Sequence, residues 1–151
     1  MKTFALDTSC IVAAVCAWHE HHSAAAGAIE RRLKRGERLA VPAAALVEAY
    51  AVLTRLPPPH RLSPHDAWML VETNFIAPAT IVALTGPTYA ALLRRLAKDA
   101  IAGGRAYDAV IAECAHQANA DAFLTFNPRH FDPPPDGVAV IEPGSSRLTN
   151  D

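Results

Sequence analysis

The feature that most constrains this chain is the alternation of short, continuously apolar runs with longer segments in which apolar residues recur at helical spacing. Strands buried on both faces of a parallel sheet are apolar throughout their length. Proline opens several of the helical segments, and glycine or proline follows them. The pattern predicts an α/β fold with a parallel sheet covered by helices on both sides. The predicted strands span residues 3–6, 39–41, 81–84, 122–125 and 138–141, and the predicted helices span 23–34, 42–55, 63–74, a segment from 87, and 107–119.

Length and composition predict one folded domain. The 151 residues are 51% hydrophobic and 19% charged, which is typical of a globular chain with a substantial core. We predict a single domain over residues 1–142 and a flexible polar tail over residues 143–151. The formal net charge of −1 provides no general attraction to nucleic acid, so any RNA contact must come from local basic patches.

Cysteine usage and hydropathy predict a cytoplasmic protein. Cys10, Cys16 and Cys114 form no CxxC pair, and we interpret them as buried free thiols rather than as disulfides or zinc ligands. Asp7 comes too early for the apolar core of a signal peptide. No uncharged apolar stretch reaches the roughly 20 residues that a membrane helix needs, so we expect no membrane association.

Asp7 directly follows the first predicted strand. In open α/β sheets, ligands bind beyond the carboxyl ends of the strands, where the strand order reverses. Asp7 is therefore a candidate site residue. The alternative is that Asp7 caps the helix that follows, with help from Thr8 and Ser9, and for an isolated aspartate this is the more common role.

Glu48 is the only charged residue between positions 43 and 54. A helix that is apolar around most of its circumference is buried, and buried carboxylates are almost always paired. A metal ion would provide that pairing. The alternative, of equal weight, is a solvent-facing Glu48 on a narrow polar stripe that also contains Arg55.

The third candidate acid, Asp108, lies near the start of a mostly apolar helix, where it could instead be an N-cap. Of its acidic neighbours, Asp99 is interpreted as a solvated charge and Glu113 as exposed. Asn127 is a fourth candidate, because it lies just beyond the strand that ends at Thr125. For Asn127 the alternative is an Asn-Pro turn.

The candidate ligands are carboxylate and amide oxygens, with no convincing histidine or cysteine partner. Hard oxygen ligands favour Mg²⁺ or Mn²⁺ over zinc. Such ions support phosphodiester cleavage by activating water and stabilising the leaving oxygen. These residues therefore indicate a metal-dependent nuclease.

Four segments, taken in order, resemble the motifs of PIN-domain ribonucleases and, within that family, of the toxin subunits of VapBC-type toxin–antitoxin pairs. Together they span positions 7 to 131, nearly the whole domain, and the ordered set is more specific than any one motif. The segments are Leu6–Ser9, Glu48 in the helix after the second strand, Tyr107–Ala112 and Leu124–Phe131.

The resemblance implies a three-layer α/β/α sandwich with a central parallel sheet of four or five strands. It implies an endoribonuclease in which Asp7, Glu48 and Asp108 are catalytic and bind Mg²⁺ or Mn²⁺. Ser9 would steady the first acid through a hydrogen bond, and Thr125 would be a neighbouring hydroxyl. The expected products carry 5′-phosphate and 3′-hydroxyl ends. The expected partners are the RNA substrate, a cognate antitoxin protein and a second copy of the chain in a homodimer.

One position departs from the family pattern, which often has an aspartate where this chain has Asn127. An amide oxygen can still bind a hard cation, but it adds no charge. We expect this change to weaken metal binding, and it leaves open whether a second ion binds. Activity is expected to persist because three carboxylates remain.

Basic residues near the third acid are the preferred candidates for RNA binding, because they lead into the loop before Asp108 and could contact phosphates. A solvated helix face is the alternative. These residues are Arg94, Arg95, Lys98 and Arg105. The histidine-rich segment at positions 19–22 lacks the HExxH spacing, and we interpret it as a surface cluster rather than a metal site.

Two other functions stay open on the sequence. Because of Asn127, the chain could be a catalytically weakened PIN-like module that binds RNA or protein without cleaving. Phosphoryl transfer through a phospho-aspartate at Asp7 is less consistent with the sequence. The first strand lacks a second acid two residues after Asp7, and no candidate catalytic lysine lies near Thr125.

Overall fold

The computed structural model describes residues 1–145, and at its centre is a five-stranded sheet in which every neighbouring pair is parallel. The strands are short and mostly buried, as their continuous apolar sequences predict. They are β1 (Thr3–Leu6), β2 (Arg38–Pro42), β3 (Thr80–Val82), β4 (Ala122–Leu124) and β5 (Ala139–Ile141). They lie in the order β3-β2-β1-β4-β5. The prediction of a central parallel sheet of four or five strands is confirmed.

Six α-helices connect the strands within residues 1–145. Several begin at side-chain caps: the Ser63 hydroxyl accepts a 3.1 Å hydrogen bond from the Asp66 N–H, and Thr85 caps the next helix in the same way. The helices are α1 (Thr8–Val15), α2 (His22–Lys34), α3 (Ala43–Arg55), α4 (Pro64–Val71), α5 (Gly86–Lys98) and α6 (Arg105–Gln117). A π-helical turn, Glu72–Ile76, extends α4, and a 3₁₀ turn, Pro128–Phe131, lies between β4 and β5.

The order of the strands divides the helices into two layers. The chain proceeds outward from β1 through β2 to β3, then returns to the other side of β1 to add β4 and β5. Because parallel crossovers are right-handed, this reversal places α1–α4 on one face and α5 and α6 on the other. The contacts agree, since α1 contacts α2 and α3, whereas α5 contacts α6, which packs on β2 and β3. The predicted three-layer α/β/α sandwich is confirmed.

The reversal lies between β1 and β4, at the centre of the sheet. The register pairs Leu6 with Leu124, so both strands end at the same level. The Asp7 N–H continues the ladder with a 2.9 Å hydrogen bond to the Leu124 carbonyl. The core beneath is tightly apolar, with Phe4 and Phe123 fully buried. Residues that follow β1 and β4 therefore emerge side by side at the carboxyl edge.

Most predicted boundaries lie within two residues of those of the structure, but α1 (Thr8–Val15) was not among the predicted helical ranges, and three further points differ. The third strand begins at Thr80 and ends at Val82, the helix that carries the third acid begins at Arg105, and a π-helical turn follows α4. The three cysteines are buried and free, as predicted, and burial raises the pKa of Cys114 to about 11. Within residues 1–145, no helix combines the length and apolar character needed to span a bilayer. Residues 146–151 of the predicted tail lie outside the described residues.

Candidate active site

Asp7 is a buried carboxylate at the carboxyl end of β1, with only 5% of its surface exposed. Its backbone is extended and α1 begins at the next residue, so Asp7 is the N-cap of that helix. Oδ1 accepts a 2.8 Å hydrogen bond from the Thr8 N–H. The interpretation of Asp7 as a helix cap is therefore confirmed. It does not compete with a site role, because the second oxygen points to different partners.

Two hydroxyl groups hold that second oxygen. Asp7 Oδ2 accepts hydrogen bonds of 3.1 Å from Ser9 Oγ and 2.7 Å from Thr125 Oγ1. Each hydroxyl oxygen in turn accepts a backbone N–H, from Phe126 at 3.1 Å and from Asn127 at 2.9 Å respectively. Because the hydroxyl oxygens accept from the backbone, their protons are directed at the carboxylate. Ser9 and Thr125 thus lie where the resemblance implied.

Glu48 is exposed, so of its two equally weighted interpretations the structure supports the solvent-facing one and not the buried one. Residues Ala45 and Ala49 are fully buried, but Val47 beside them is 70% exposed, so α3 has an open face at this point. Glu48 is nevertheless tied to the first acid's neighbour, since Thr8 Oγ1 donates a 3.1 Å hydrogen bond to its Oε2. This bond connects α3 to the start of α1 and directs Glu48 to the carboxyl edge.

Asp108 lies in the first turn of α6 and is half-buried. Its N-cap alternative is wrong, because Gly104 occupies the cap position. Its Oδ2 lies 3.4 Å from Nδ1 of His130 in the 3₁₀ turn. Burial raises the pKa of the Asp108 carboxyl, and the charges of His130 and Arg105 lower it in part.

Asp7 and Asp108 interact electrostatically although they are on different elements. Burial is the main cause that raises the pKa of the Asp7 carboxyl, and hydrogen bonds from Thr125, Thr8 and Ser9 oppose it. The negative charge of Asp108 raises it further. An ionised Asp7 is therefore costly in the folded protein until a cation compensates it.

Asn127 lies at the carboxyl edge with an exposed side chain. It precedes the 3₁₀ turn but its side chain does not cap it, while its backbone N–H binds Thr125. The Asn-Pro turn of the alternative interpretation is therefore present. The geometry leaves the side-chain amide available to a ligand, and its role as a metal ligand stays a prediction.

The donor set fits a hard divalent cation by its chemistry. In the described part of the chain, no lysine, arginine or histidine forms an ion pair with Asp7 or Glu48, whereas Asp108 pairs with His130 and is also within electrostatic range of Arg105. Carboxylate oxygens without basic partners are the ligands that Mg²⁺ and Mn²⁺ prefer. As the side chains stand, no group of three or more such residues among positions 1–145 converges on a common point.

The four basic residues predicted to bind RNA divide into two pairs. Arg95 and Arg105 line a cavity that also includes Asp108. Arg94 and Lys98 are exposed on α5 and are not among the residues that line it. Helical spacing alone could not separate the pairs, because the division depends on how α5 is rotated against α6.

Glu113 corrects another expectation. The sequence favoured an exposed side chain, but only 18% of its surface is exposed, and its Oε2 lies 3.7 Å from Nη2 of Arg95. Packing of α5 against α6 encloses it. Its acidic neighbour Asp99 is exposed at the end of α5, as expected.

Two residues at the site were missed in the sequence. His130 had no identifiable partner, although its place in the segment that carries Thr125 and Asn127 was a usable signal. Thr8 was considered only as an aid to the helix cap, whereas it connects the first acid's helix to Glu48.

The histidine-rich segment lies beside the site without forming a metal group in the described residues. His21 stacks on Phe126 with ring centroids 4.5 Å apart, and His19 lies against His21 at 5.7 Å. His22 contacts the Ala13 carbonyl at 2.9 Å. The three imidazole rings are therefore half-buried and held by neighbouring groups, and their interpretation as a surface cluster stays a prediction.

A family model and two curated relatives place the chain in the same group of proteins. The PIN domain family model matches residues 4–133. Ribonuclease VapC40 of Mycobacterium tuberculosis (strain ATCC 25618 / H37Rv) is 41% identical over 114 residues, which is 76% of this chain and 79% of that protein. Ribonuclease VapC27 of the same strain is 37% identical over 117 residues, covering 78% of this chain and 80% of that protein.

Solved structures agree at the level of the fold. VapC20 of Mycobacterium tuberculosis, a sarcin–ricin loop cleaving toxin, superposes with a TM-score of 0.67 at 15% identity, covering 90% of this chain and 98% of that chain. VapBC2 from Rickettsia felis, bound to a promoter DNA fragment, gives a TM-score of 0.66 at 17% identity, with 93% and 98% covered. DNA-bound VapBC from Salmonella typhimurium gives 0.64 at 22% identity, with 94% and 98% covered.

Proposed function

The chain belongs to the PIN domain family, and on this premise we propose that it is a metal-dependent endoribonuclease, the toxin of a toxin–antitoxin pair. Its curated relatives of 41% and 37% identity are named ribonucleases, and each match covers about four-fifths of the relative. At that identity and coverage the chemistry of the relatives is the best guide to this chain. The fold is compatible with a ribonuclease, but a fold alone does not identify a reaction.

The observation that carries the proposal is the environment of Asp7. A buried carboxylate lies at the reversal point of a parallel sheet, is held by Ser9 and Thr125, and has a second carboxylate, Asp108, within electrostatic range. Folding stability alone does not favour such an arrangement, because each ionised acid raises the cost of the other. Acids whose pKa values are raised by burial and by each other's charge are typical of ligand-binding sites.

We assign Asp7, Glu48 and Asp108 as the ligands of Mg²⁺ or Mn²⁺, with the amide oxygen of Asn127 as a fourth. When bound, such an ion supplies an activated water and compensates charge on the leaving oxygen. The residues of this chain position the ligands. Ser9 and Thr125 fix the orientation of Asp7, and the Thr8 hydroxyl directs Glu48.

The chain also provides groups for the RNA. Arg95 and Arg105 line the cavity next to Asp108, where their guanidinium groups can donate hydrogen bonds to bound RNA. Arg94 and Lys98 are exposed on α5. They would add weaker, salt-sensitive contacts to RNA phosphates. The expected products carry 5′-phosphate and 3′-hydroxyl ends, because hydrolysis at phosphorus breaks the bond to the 3′ oxygen.

We further propose the partners implied by the family. The solved neighbours from Rickettsia felis and Salmonella typhimurium are VapBC assemblies, and we propose that a cognate antitoxin covers the acidic site of this chain and silences it. Homodimerisation is proposed as well, and a cellular RNA substrate would place the protein in the cytoplasm.

The decisive experiment compares Asp7→Asn with Asp66→Asn. Asp66 is exposed on α4, so its substitution makes the same chemical change away from the site. Asp7→Asn should reduce Mn²⁺-dependent cleavage of a defined RNA by more than about 100-fold, since changes in groups that merely support ligands already cost about 10–100-fold. Asp66→Asn should cleave normally. Equal cleavage by Asp7→Asn and wild type, in preparations free of contaminating nuclease, would refute the assignment.

A binding module that does not cleave is the second candidate, and the uncharged Asn127 favours it. Titration of Mn²⁺ while both RNA cleavage and melting temperature are recorded distinguishes the two. Stabilisation by Mn²⁺ with cleavage supports the nuclease. Stabilisation of the wild type without cleavage of any RNA in a total cellular pool supports the binding module.

A further inference from the structure

A cavity of about 420 Å³ lies beside Asp108, between α5, α6 and the segment that follows the 3₁₀ turn. Its volume is within the range of about 300–1,000 Å³ that small-molecule sites occupy. One wall is the proline triplet Pro133–Pro135, whose backbone has restricted freedom. The lining also contains Arg95 and Glu113. The cavity is thus a preformed compartment of nucleotide size that shares Asp108 and His130 with the acidic site.

The charge of the lining excludes a phosphate as its natural occupant. Five carboxylates line the cavity, against two guanidinium groups and two imidazoles. A phosphate group would lie among more negative than positive charges. A neutral group rich in hydrogen-bond donors fits this lining better. The carboxylates belong to Asp99, Asp108, Glu113, Asp132 and Asp136.

Arg95 and Glu113 place hydrogen-bond donors and acceptors next to each other on the cavity wall. The two charges are 3.7 Å apart, which is beyond hydrogen-bond range, so neither group uses its full capacity on the other. The contact of Glu113 with Gln117 is also long, at 3.4 Å. Glu113 therefore offers acceptors and Arg95 offers donors to a third group.

A guanine base complements this pair better than the other bases do. Guanine presents two adjacent donors, N1–H and the N2 amino group, which a carboxylate can accept together. Its O6 and N7 are the acceptors that arginine binds in a bidentate manner. The other bases present fewer adjacent donors toward a carboxylate. Proteins that recognise RNA sequence read single-stranded bases in this way, through the exposed edges.

We propose that this cavity binds a nucleobase of single-stranded RNA, with guanine preferred, next to the phosphodiester that the acidic site cleaves. The proposal rests on the proposed ribonuclease function and gives it a determinant of sequence preference. Asp108 borders both compartments, so a base in the cavity places its own backbone at the acids. Glu113 and Arg95 are the specificity residues.

Sequencing of cleavage ends from a randomised RNA tests the proposal. Wild type should show guanine enriched at one position relative to the cut, and Glu113→Gln should reduce that enrichment roughly tenfold, the value of a good bidentate base contact. Arg95→Gln should reduce it as well. Arg55→Gln is the matched control, since Arg55 is exposed at the end of α3 and is not among the residues that line the cavity. Its guanine enrichment should equal that of wild type.

Binding to the metal-free protein provides a readout that does not need cleavage. Guanosine monophosphate should bind the wild type at least about tenfold more tightly than uridine monophosphate, and Glu113→Gln should abolish that difference. Inorganic phosphate and arginine amide should not compete. Equal binding of both nucleotides, or occupation by arginine amide instead, would overturn the proposal, as would cleavage without guanine preference. Failure of the wild type to cleave RNA while guanosine monophosphate binds would contradict the nuclease assignment and leave the cavity assignment standing.

Discussion

Thr125 donates a 2.7 Å hydrogen bond to Oδ2 of Asp7, from a position 118 residues further along the chain. The bond exists because β1 and β4 are neighbours in register, which brings the residue after each strand to the same edge. It directs a buried carboxylate whose ionisation is otherwise penalised by burial. The most sensitive tests of the proposed site act on this bond and its neighbours.

Thr125→Val should destabilise the protein and reduce its activity. Valine keeps the volume of a fully buried side chain but removes the donor to Asp7 and the acceptor of the Asn127 N–H. Loss of a hydrogen bond to a charged group costs about 1.5–3 kcal/mol, which urea denaturation can measure. Cleavage should fall by about 10–100-fold. Thr125→Ser retains the hydroxyl and should preserve most activity, so similar losses in both variants would contradict a role for the bond.

Thr8→Val should weaken metal binding more than stability. The Thr8 hydroxyl directs Glu48, which is otherwise free at the surface. Without this bond, Glu48 must be ordered when the ion binds, and the affinity for Mn²⁺ should fall about tenfold by calorimetry. Thr54→Val is the control, since the Thr54 hydroxyl bonds only to carbonyls of its own helix. A wild-type affinity in Thr8→Val would show that Glu48 does not need this contact.

Asn127→Asp should strengthen metal binding. The substitution adds a carboxylate at the carboxyl edge, and ligand charge is one of the properties that set cation affinity, so a gain of roughly tenfold is expected. Cleavage at low Mg²⁺ should rise accordingly. Asn119→Asp adds the same charge beyond the end of α6, away from the acids, and should leave the affinity unchanged. An unchanged affinity in Asn127→Asp as well would remove this position from the ligand set.

The metal-free protein should lose stability as the pH rises through the acidic range. The pKa values of Asp7 and Asp108 are raised above the ordinary value of 3.8, chiefly by burial, so the folded state holds these protons more tightly than the unfolded chain. The resulting stability is fully present below the ordinary value and is lost as the pH rises through the raised values. Addition of Mn²⁺ should restore it at neutral pH.

The Asp108→Asn variant tests the destabilising effect of the Asp108 charge separately from that of Asp7. At neutral pH and without metal, the variant should be more stable than wild type by at most about 1 kcal/mol, because solvent partly screens Asp108. That gain corresponds to about 2–4 °C in melting temperature and should vanish below the ordinary aspartate pKa. Asp66→Asn should show no such gain. A less stable Asp108→Asn at neutral pH would indicate that Asp108 carries no repulsive charge in the fold.

The candidate acids illustrate which parts of the site the sequence could predict. Asp7 and Asp108 were identifiable because each stands where an apolar strand ends or an apolar helix begins. The hydroxyls of Ser9 and Thr125 followed from the family resemblance. Glu48 was selected for a reason that is wrong, since the helix around it has an open face rather than a buried one.

Other relationships were inaccessible to the sequence. The pairing of His130 with Asp108, the separation of Arg95 from Arg94, and the partial burial of Glu113 all depend on how one element packs against another. A periodic pattern identifies which residues share one face of a helix. It does not identify what that face contacts.

The sequence by itself determined the elements and their order, because the tendency to form a short buried strand or a capped helix is a property of adjacent residues. It also determined the chemical character of the candidate ligands. The tertiary structure decided which strands are neighbours, and hence that residues 7 and 125 meet at the reversal point of the sheet. It also decided the cavity beside Asp108. Both depend on contacts between residues far apart in the chain, whose geometry is set only when the layers pack together.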